Sequence, residues 1–156
     1  MDFRLDICGI TVYLKIKGYE KSTKEDWDGQ WCRCDFSFMS GDWLNYHKED
    51  DEVLMSCEVE ELYEALSKLL TDELSDIKEI CCMEPDFNFI LYPKRDLRND
   101  PKYTYIKPGY EMADIYMEWK VFFWNEGLTD NFLCVTFGRE DIEKLRDYLS
   151  SVINKN

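Results

Sequence analysis

The side chains that could do chemistry in this chain are its 33 acids, its seven cysteines and its single histidine. General acid–base catalysis and nucleophilic triads need a base held beside a nucleophile. His47, the single histidine, has no serine or cysteine nucleophile motif around it, so we expect it to lie on the surface. Glu84 and Asp86 flank Pro85, and we interpret this segment as a proline-interrupted strand edge instead of a catalytic carboxylate pair.

The cysteines match the spacing of a thiolate metal site only in part. Cys32 and Cys34 share one face of a predicted strand with Phe36, whereas the adjacent Cys81 and Cys82 point to opposite faces of theirs. Structural zinc needs four ligands, and no CxxC pair or accompanying histidine completes the set. We therefore expect free, structural thiols in a reducing compartment, with no metal and no cofactor.

Sequence motifs of common enzyme classes are also absent. The sequence contains no phosphate-cradling glycine loop, GxSxG elbow, HExxH or EF-hand spacing, and its seven glycines are scattered at predicted turns. We predict that the chain binds a partner and is not an enzyme.

The net charge of the chain indicates which class of molecule it can bind. The formal net charge is −14, and the acids are spread along the whole sequence. The one short basic stretch holds Lys94, Arg95 and Arg98, so nucleic acid is an unfavourable partner, because its phosphates require clustered bases. A basic protein is favourable, because complementary charge speeds association and orients the encounter. The alternative that the acidity serves only solubility stays open.

Acidic segments beside aromatic residues form the candidate partner-binding site. We expect Glu49 to Glu52 to form a turn or an exposed loop, because four adjacent acids repel one another and are costly to bury. Aromatic side chains are favoured anchors in protein interfaces. The alternative, in which the tryptophans belong to the core and the acids to solvent, stays open. The candidate residues are Glu25, Asp26, Asp28, Trp31, Trp43, Glu49, Asp50, Asp51 and Glu52.

Strands must position most of these residues. Apolar and polar residues alternate over 10–16 and 32–38, which predicts two half-buried strands. Further strands are expected over 43–46, 53–56, 77–83 and 87–92, and a long strand over 113–123 turns into a partner over 132–137. The segment from Pro93 to Gly109 holds three prolines and no periodicity, so it predicts a long loop.

Two segments have helical spacing of apolar residues, 59–70 and 142–153. Ser56 is the expected N-cap of the first helix, and Gly138 precedes the second. The order of elements predicts an α+β fold: a mainly antiparallel sheet assembly of about seven to nine strands with two amphipathic helices packed on it. We expect one domain over residues 1–156. The predicted core contains Val12, Leu14, Cys34, Phe36, Leu62, Leu66, Phe89, Trp119, Val121 and Leu145.

The first residues of the sequence indicate the cellular compartment in which we expect the protein. Met1 to Arg4 carries charges where a secretory signal would be apolar, and no apolar run reaches bilayer length. We expect a cytoplasmic protein that has no membrane partner.

Three short motifs stand out: DWDGQWC at 26–32 before a strand, SCEVEEL at 56–62 opening a helix, and EPDFNF at 84–89. In order and spacing they resemble those of the WapI-like bacterial immunity proteins. A tryptophan-containing strand and a terminal amphipathic helix follow, so the likeness covers nearly the whole chain. The resemblance implies an antidote that binds the toxic C-terminal domain of a contact-dependent or polymorphic toxin, a tRNA-cleaving nuclease in the namesake system. It implies no catalytic residues.

The charge agrees with this function, because a nuclease presents a basic surface to its phosphate substrate and an acidic protein can occupy that surface. Two alternatives come from other classes: an adaptor or regulatory protein of a phage or mobile element, and an enzyme with a carboxylate-bound divalent cation. A neighbouring toxin gene would distinguish immunity from the adaptor. A metal-dependent shift in melting temperature would favour the enzyme.

Overall fold

The computed structural model describes residues 1–23 and 30–154. Ten strands and two α-helices lie in the described part of the chain. The strands are β1 (Phe3–Ile7), β2 (Ile10–Lys17), β3 (Trp31–Ser40), β4 (Leu44–Met55), β5 (Lys78–Cys81), β6 (Phe87–Tyr92), β7 (Arg95–Asp96), β8 (Met112–Ala113), β9 (Tyr116–Trp124) and β10 (Leu128–Phe137). The helices are α1 (Ser56–Leu70) and α2 (Arg139–Ile153), with a 3-10 turn at Leu97–Asn99.

The strands form two four-stranded antiparallel sheets. The first sheet has the order β1-β2-β3-β4 and the second β10-β9-β6-β5, while β7 and β8 form a separate two-stranded ribbon. The predicted α+β fold with a mainly antiparallel sheet assembly is confirmed. The described strands number ten because β1 and the two-residue strands β7 and β8 were not expected from the sequence.

Aromatic side chains join the inner faces of the two sheets. Phe36 lies with its ring centre 4.8 Å from that of Phe87, and Phe38 lies 5.3 Å from Trp119. The buried side chains of both helices belong to the same core as these rings. All ten residues predicted for the core are at most 3% exposed, so alternation and helical spacing located the core correctly.

The candidate acids from Glu49 to Glu52 lie inside β4, so the prediction of a turn or loop is wrong. The segments 43–46 and 53–56, predicted as separate strands, join into this one strand. Its pairing with β3 shifts register twice, and Asp50 has a φ of 52°, a conformation that aspartate adopts more readily than most residues. These irregularities let an acidic run continue the strand, because its side chains stay exposed or half-exposed and Asp50, Asp51 and Glu52 are paired with bases.

The N-terminus of α1 also differs from its prediction. Met55 is the N-cap residue, and Ser56 is the first helical residue, fully buried, with its N–H donated to the Gln30 carbonyl at 2.8 Å. The buried carboxylate of Glu58 accepts the N–H of Met55 at 2.9 Å and that of Met83 at 2.6 Å. A carboxylate three residues after the N-cap therefore accepts the N–H of the N-cap residue, and no serine side chain caps the helix.

The predicted long loop from Pro93 to Gly109 contains some regular structure. It includes β7 and the 3-10 turn, whose first N–H groups are capped by Asp96, which accepts the Arg98 N–H at 2.9 Å. The ribbon strand β8 lies ahead of β9, so the long strand predicted from 113 begins at Tyr116. Neither α-helix in the described residues is long and apolar enough to cross a membrane.

We predict that Leu66→Ala destabilises the fold by about 2–5 kcal/mol, because Leu66 is fully buried and the change leaves a cavity. The exposed Glu64→Ala on the same helix is the matched control and should change stability by less than about 0.5 kcal/mol. Urea unfolding of the two variants measures both values. Equal effects would show that α1 is not packed as described.

Candidate partner-binding surfaces

The candidate residues do not form one cluster. Glu25, Asp26 and Asp28 lie outside the described residues. Trp31 is half-buried at the start of β3, whereas Trp43 is 70% exposed in the turn before β4. The two tryptophans therefore lie at opposite ends of the β3–β4 hairpin, roughly 30 Å apart at the usual rise per strand residue.

Three strands join in a charged network on the outer face of the first sheet. Asp50 of β4 lies 3.1 Å from the Lys17 Nζ of β2 and 3.0 Å from the Arg33 Nε of β3. Lys17 also lies 2.9 Å from Asp35, and Arg33 lies 3.5 Å from Glu52. The Arg33 guanidinium, together with Lys17, lowers the pKa of the Asp50 carboxyl. We call Lys17, Arg33, Asp35, Asp50 and Glu52 the acidic network.

The acidic network keeps an excess of negative charge while its side chains are held in place. It contains three carboxylates and two bases, and the exposed Glu49 on the same strand adds to the excess. The charges on this face are therefore already oriented before a basic partner binds. Pairing within the network also weakens the electrostatic attraction of Asp50 and Glu52 for a basic partner, because Arg33 and Lys17 cancel part of their field.

Asp51 belongs to a different and more buried group. Lys48 lies 3.1 Å from Asp51 and 2.9 Å from Asp86, and its Nζ lies 4.6 Å from the centre of the Trp124 ring. Asp86 is only 1% exposed, and burial raises the pKa of its carboxyl against the opposing effect of Lys48. The interpretation of 84–86 as a strand edge therefore missed a buried ion pair. A signal existed in the sequence, because Lys48 continues the inward alternation of Leu44 and Tyr46.

The first turns of α1 hold both flanks of segment 24–29, which carries three of the candidate acids. Glu60 accepts hydrogen bonds from the Tyr19 hydroxyl at 2.7 Å, from the Ser22 N–H at 2.8 Å, and from the Ser22 hydroxyl. On the other flank, the Ser56 N–H is bonded to the Gln30 carbonyl. Both flanks are thus fixed near the start of α1 and the half-buried Trp31.

Sequence reasoning missed an apolar surface on the outer face of the second sheet. Ile90, Tyr92, Tyr116, Phe122 and Phe132 lie between the buried positions of β6, β9 and β10, and none belongs to the core. We call these five residues the aromatic face. The signal in the sequence was the presence of Ile90, Tyr92, Tyr116 and Phe122 at outward positions of β6 and β9, where a solvated face would carry polar residues.

The cysteines and the histidine carry no assembled site in the described residues. His47 is exposed, as expected, and Cys32 and Cys34 are fully buried, as expected from their strand face. Burial raises the pKa of Cys32 to about 11, which makes its thiol unreactive. No group of three or more His, Cys, Asp or Glu residues is arranged to hold a metal ion in the described part of the chain.

Residues 4–156 match the model of a known protein family, described as the immunity protein WapI-like family. The match runs from β1 through α2. No curated protein matches the chain. The family match therefore supports the resemblance seen in the three short motifs over nearly the whole sequence.

We predict that Asp86→Asn destabilises the fold by about 2–3 kcal/mol, because it leaves Lys48 without its most buried partner. Asp51→Asn is the matched control: it removes the half-exposed carboxylate on the same lysine and should cost less than about 1 kcal/mol. Thermal and urea unfolding of both variants gives the comparison. Similar losses in the two variants would contradict a structural role for the buried pair.

Proposed function

The chain belongs to the WapI-like immunity protein family, and we propose that it neutralises its cognate toxin domain by covering a basic, substrate-binding surface of that domain. The observation that carries this proposal is the net charge of −14, part of which is fixed in position on the outer face of the first sheet. The proposed encounter takes place in the cytoplasm and needs no cofactor and no catalysis.

A nuclease is the proposed class of toxin. Its active surface must bind phosphates and is therefore basic. An acidic protein is attracted to such a surface and, once bound, excludes the nucleic acid by occupying the same positive charges. Occlusion alone is then sufficient for immunity.

The candidate acids are proposed to act mainly on the rate of encounter. Those on β4 lie on or beside the acidic network, so they present negative charge along the β3–β4 hairpin. Exposed charges act over about 8 Å at physiological ionic strength, which favours steering over lasting contact. Trp31 and Trp43 are proposed as contacts at the two ends of the hairpin.

The proposal is tested by co-expression of the chain with the toxin domain encoded beside it. We expect the cells to survive and the two proteins to purify together, with the yield of complex falling as salt increases. If the cells die and no complex is recovered at low salt, the immunity function is wrong and the adaptor hypothesis gains support.

For the candidate acids we predict that Glu49→Gln combined with Glu52→Gln slows association several-fold at low salt, with little effect on the dissociation rate. This pair keeps Asp50 and Asp51, so the partners of Lys17 and Lys48 stay in place. The control is Glu140→Gln with Glu143→Gln, which removes the same charge from exposed positions on α2. Stopped-flow kinetics at several salt concentrations gives the rates. Equal slowing in the control would show that only net charge matters.

A further inference from the structure

The aromatic face is partly exposed in the described structure. The helices bury their apolar side chains in the core between the sheets, and Phe132 on this face is 46% exposed. Two ring pairs lie on the face: Tyr92 and Tyr116 stack with their centres 4.2 Å apart, and Phe122 and Phe132 lie 5.1 Å apart with tilted rings. The two pairs flank a polar middle that contains Glu118 and Lys120. Exposed apolar surface rimmed by polar residues marks interaction sites in proteins.

The acids on this surface are already bonded within it. Glu118 accepts hydrogen bonds from the Tyr92 hydroxyl and, at 3.3 Å, from the Cys134 thiol. Glu79 accepts from the Asn88 amide at 3.0 Å and from the Cys81 thiol at 3.4 Å. Covering these carboxylates costs less than covering free ones, because their hydrogen bonds persist in the complex.

The size of the face suits the centre of an interface. The whole outer face of the second sheet, with four strands spaced about 4.8 Å apart and roughly 20 Å long, gives roughly 400 Å², about half of what one partner buries in a standard complex. Further aromatic surface lies close by, since Tyr103 is near Tyr116 and is itself 44% exposed. Buried aromatic anchors surrounded by polar contacts carry most of the energy in such interfaces.

The net charge of the chain indicates whether a second copy of the chain or another protein covers the aromatic face. Each copy carries a net charge of −14, so pairing two aromatic faces would bring like charges together. A basic protein gains attraction over the same approach. The occupant that fits is therefore a basic domain with exposed apolar side chains.

We infer that the aromatic face is the anchoring surface for the toxin domain, and this inference rests on the proposed function. The acids set the rate of encounter, and packing on Ile90, Phe122 and Phe132 sets the lifetime of the complex. The toxin domain then covers the outer face of the second sheet in addition to its contacts with the acids.

Three native thiols allow a direct test. Cys81 and Cys134 are exposed on the two edge strands of the second sheet, on either side of the row that pairs Asn88 with Lys120. Cys8 is exposed in the turn between β1 and β2 and serves as an internal control. Alkylation with N-ethylmaleimide, followed by mass spectrometry, gives the rate at each thiol. Since burial raises the pKa of Cys81 and Cys134, each thiol is compared with itself in the free chain.

In the complex with the toxin domain encoded beside the chain, we expect at least a ten-fold slower alkylation of Cys81 and Cys134, with Cys8 unchanged. A complex that protects the cells but leaves Cys81 and Cys134 as reactive as in the free chain overturns the docking face and leaves the proposed function standing. Failure to form any complex overturns both. Slowing in the free chain that grows with its concentration would identify a second copy as the occupant and also overturns the inference.

A matched pair of variants supplies a second readout. Phe132→Asp places a charge on the aromatic face, and Met39→Asp places the same charge at a similarly exposed position on the first sheet. We expect Phe132→Asp to raise the dissociation rate of the complex ten-fold or more, and Met39→Asp to change it less than three-fold. Circular dichroism and the melting temperature confirm that both variants fold. Equal dissociation rates for two folded variants contradict the inference.

Discussion

Trp119 lies between the two sheets, in ring contact with Phe38 of the first sheet and with Phe87, Phe89 and Phe137 of the second. Its indole N–H has no hydrogen-bond partner among the described residues, a cost of about 1–3 kcal/mol that the burial of so large a ring must outweigh. Because side chains alternate along a strand, fixing the inward residues also fixes the outward ones. Both outer surfaces therefore depend on this aromatic packing.

The outer surfaces of the two sheets interact with a partner through different forces. On the first sheet, Lys17, Arg33 and Asp50 hold charges in place across three strands, and charge acts at a distance and is screened by salt. On the second, stacked rings offer contact that acts only when water is excluded. A protein that must reach its target quickly and keep it inactive benefits from both, the first in the rate of association and the second in the lifetime of the complex.

The periodicity of apolar residues in the sequence predicted individual strands, both helices and the buried positions. Alternation located β2 and β3, helical spacing located both helices, and every predicted core residue is buried. The failures involve partners distant in sequence. Asp50 and Glu52 continue a strand because Lys17 of β2 and Arg33 of β3 pair with them, and Asp86 is buried because Lys48, on another sheet, reaches it. Alternation places Lys48 on the inner face but does not identify Asp86 as its partner, and the outward apolar residues of β9 are interrupted by Glu118 and Lys120, which weakens their signal.

The central claim is that the chain inactivates a toxin by occupying its surface, without chemistry. Titration of the toxin domain with the purified chain tests it most directly, with the toxin's activity measured on its own substrate. If occupation alone inactivates the toxin, activity falls in proportion to added protein and reaches zero at one equivalent, and toxin separated by denaturation and refolded regains its activity. Loss of activity at a small fraction of an equivalent, or toxin that stays inactive after separation, would contradict the account.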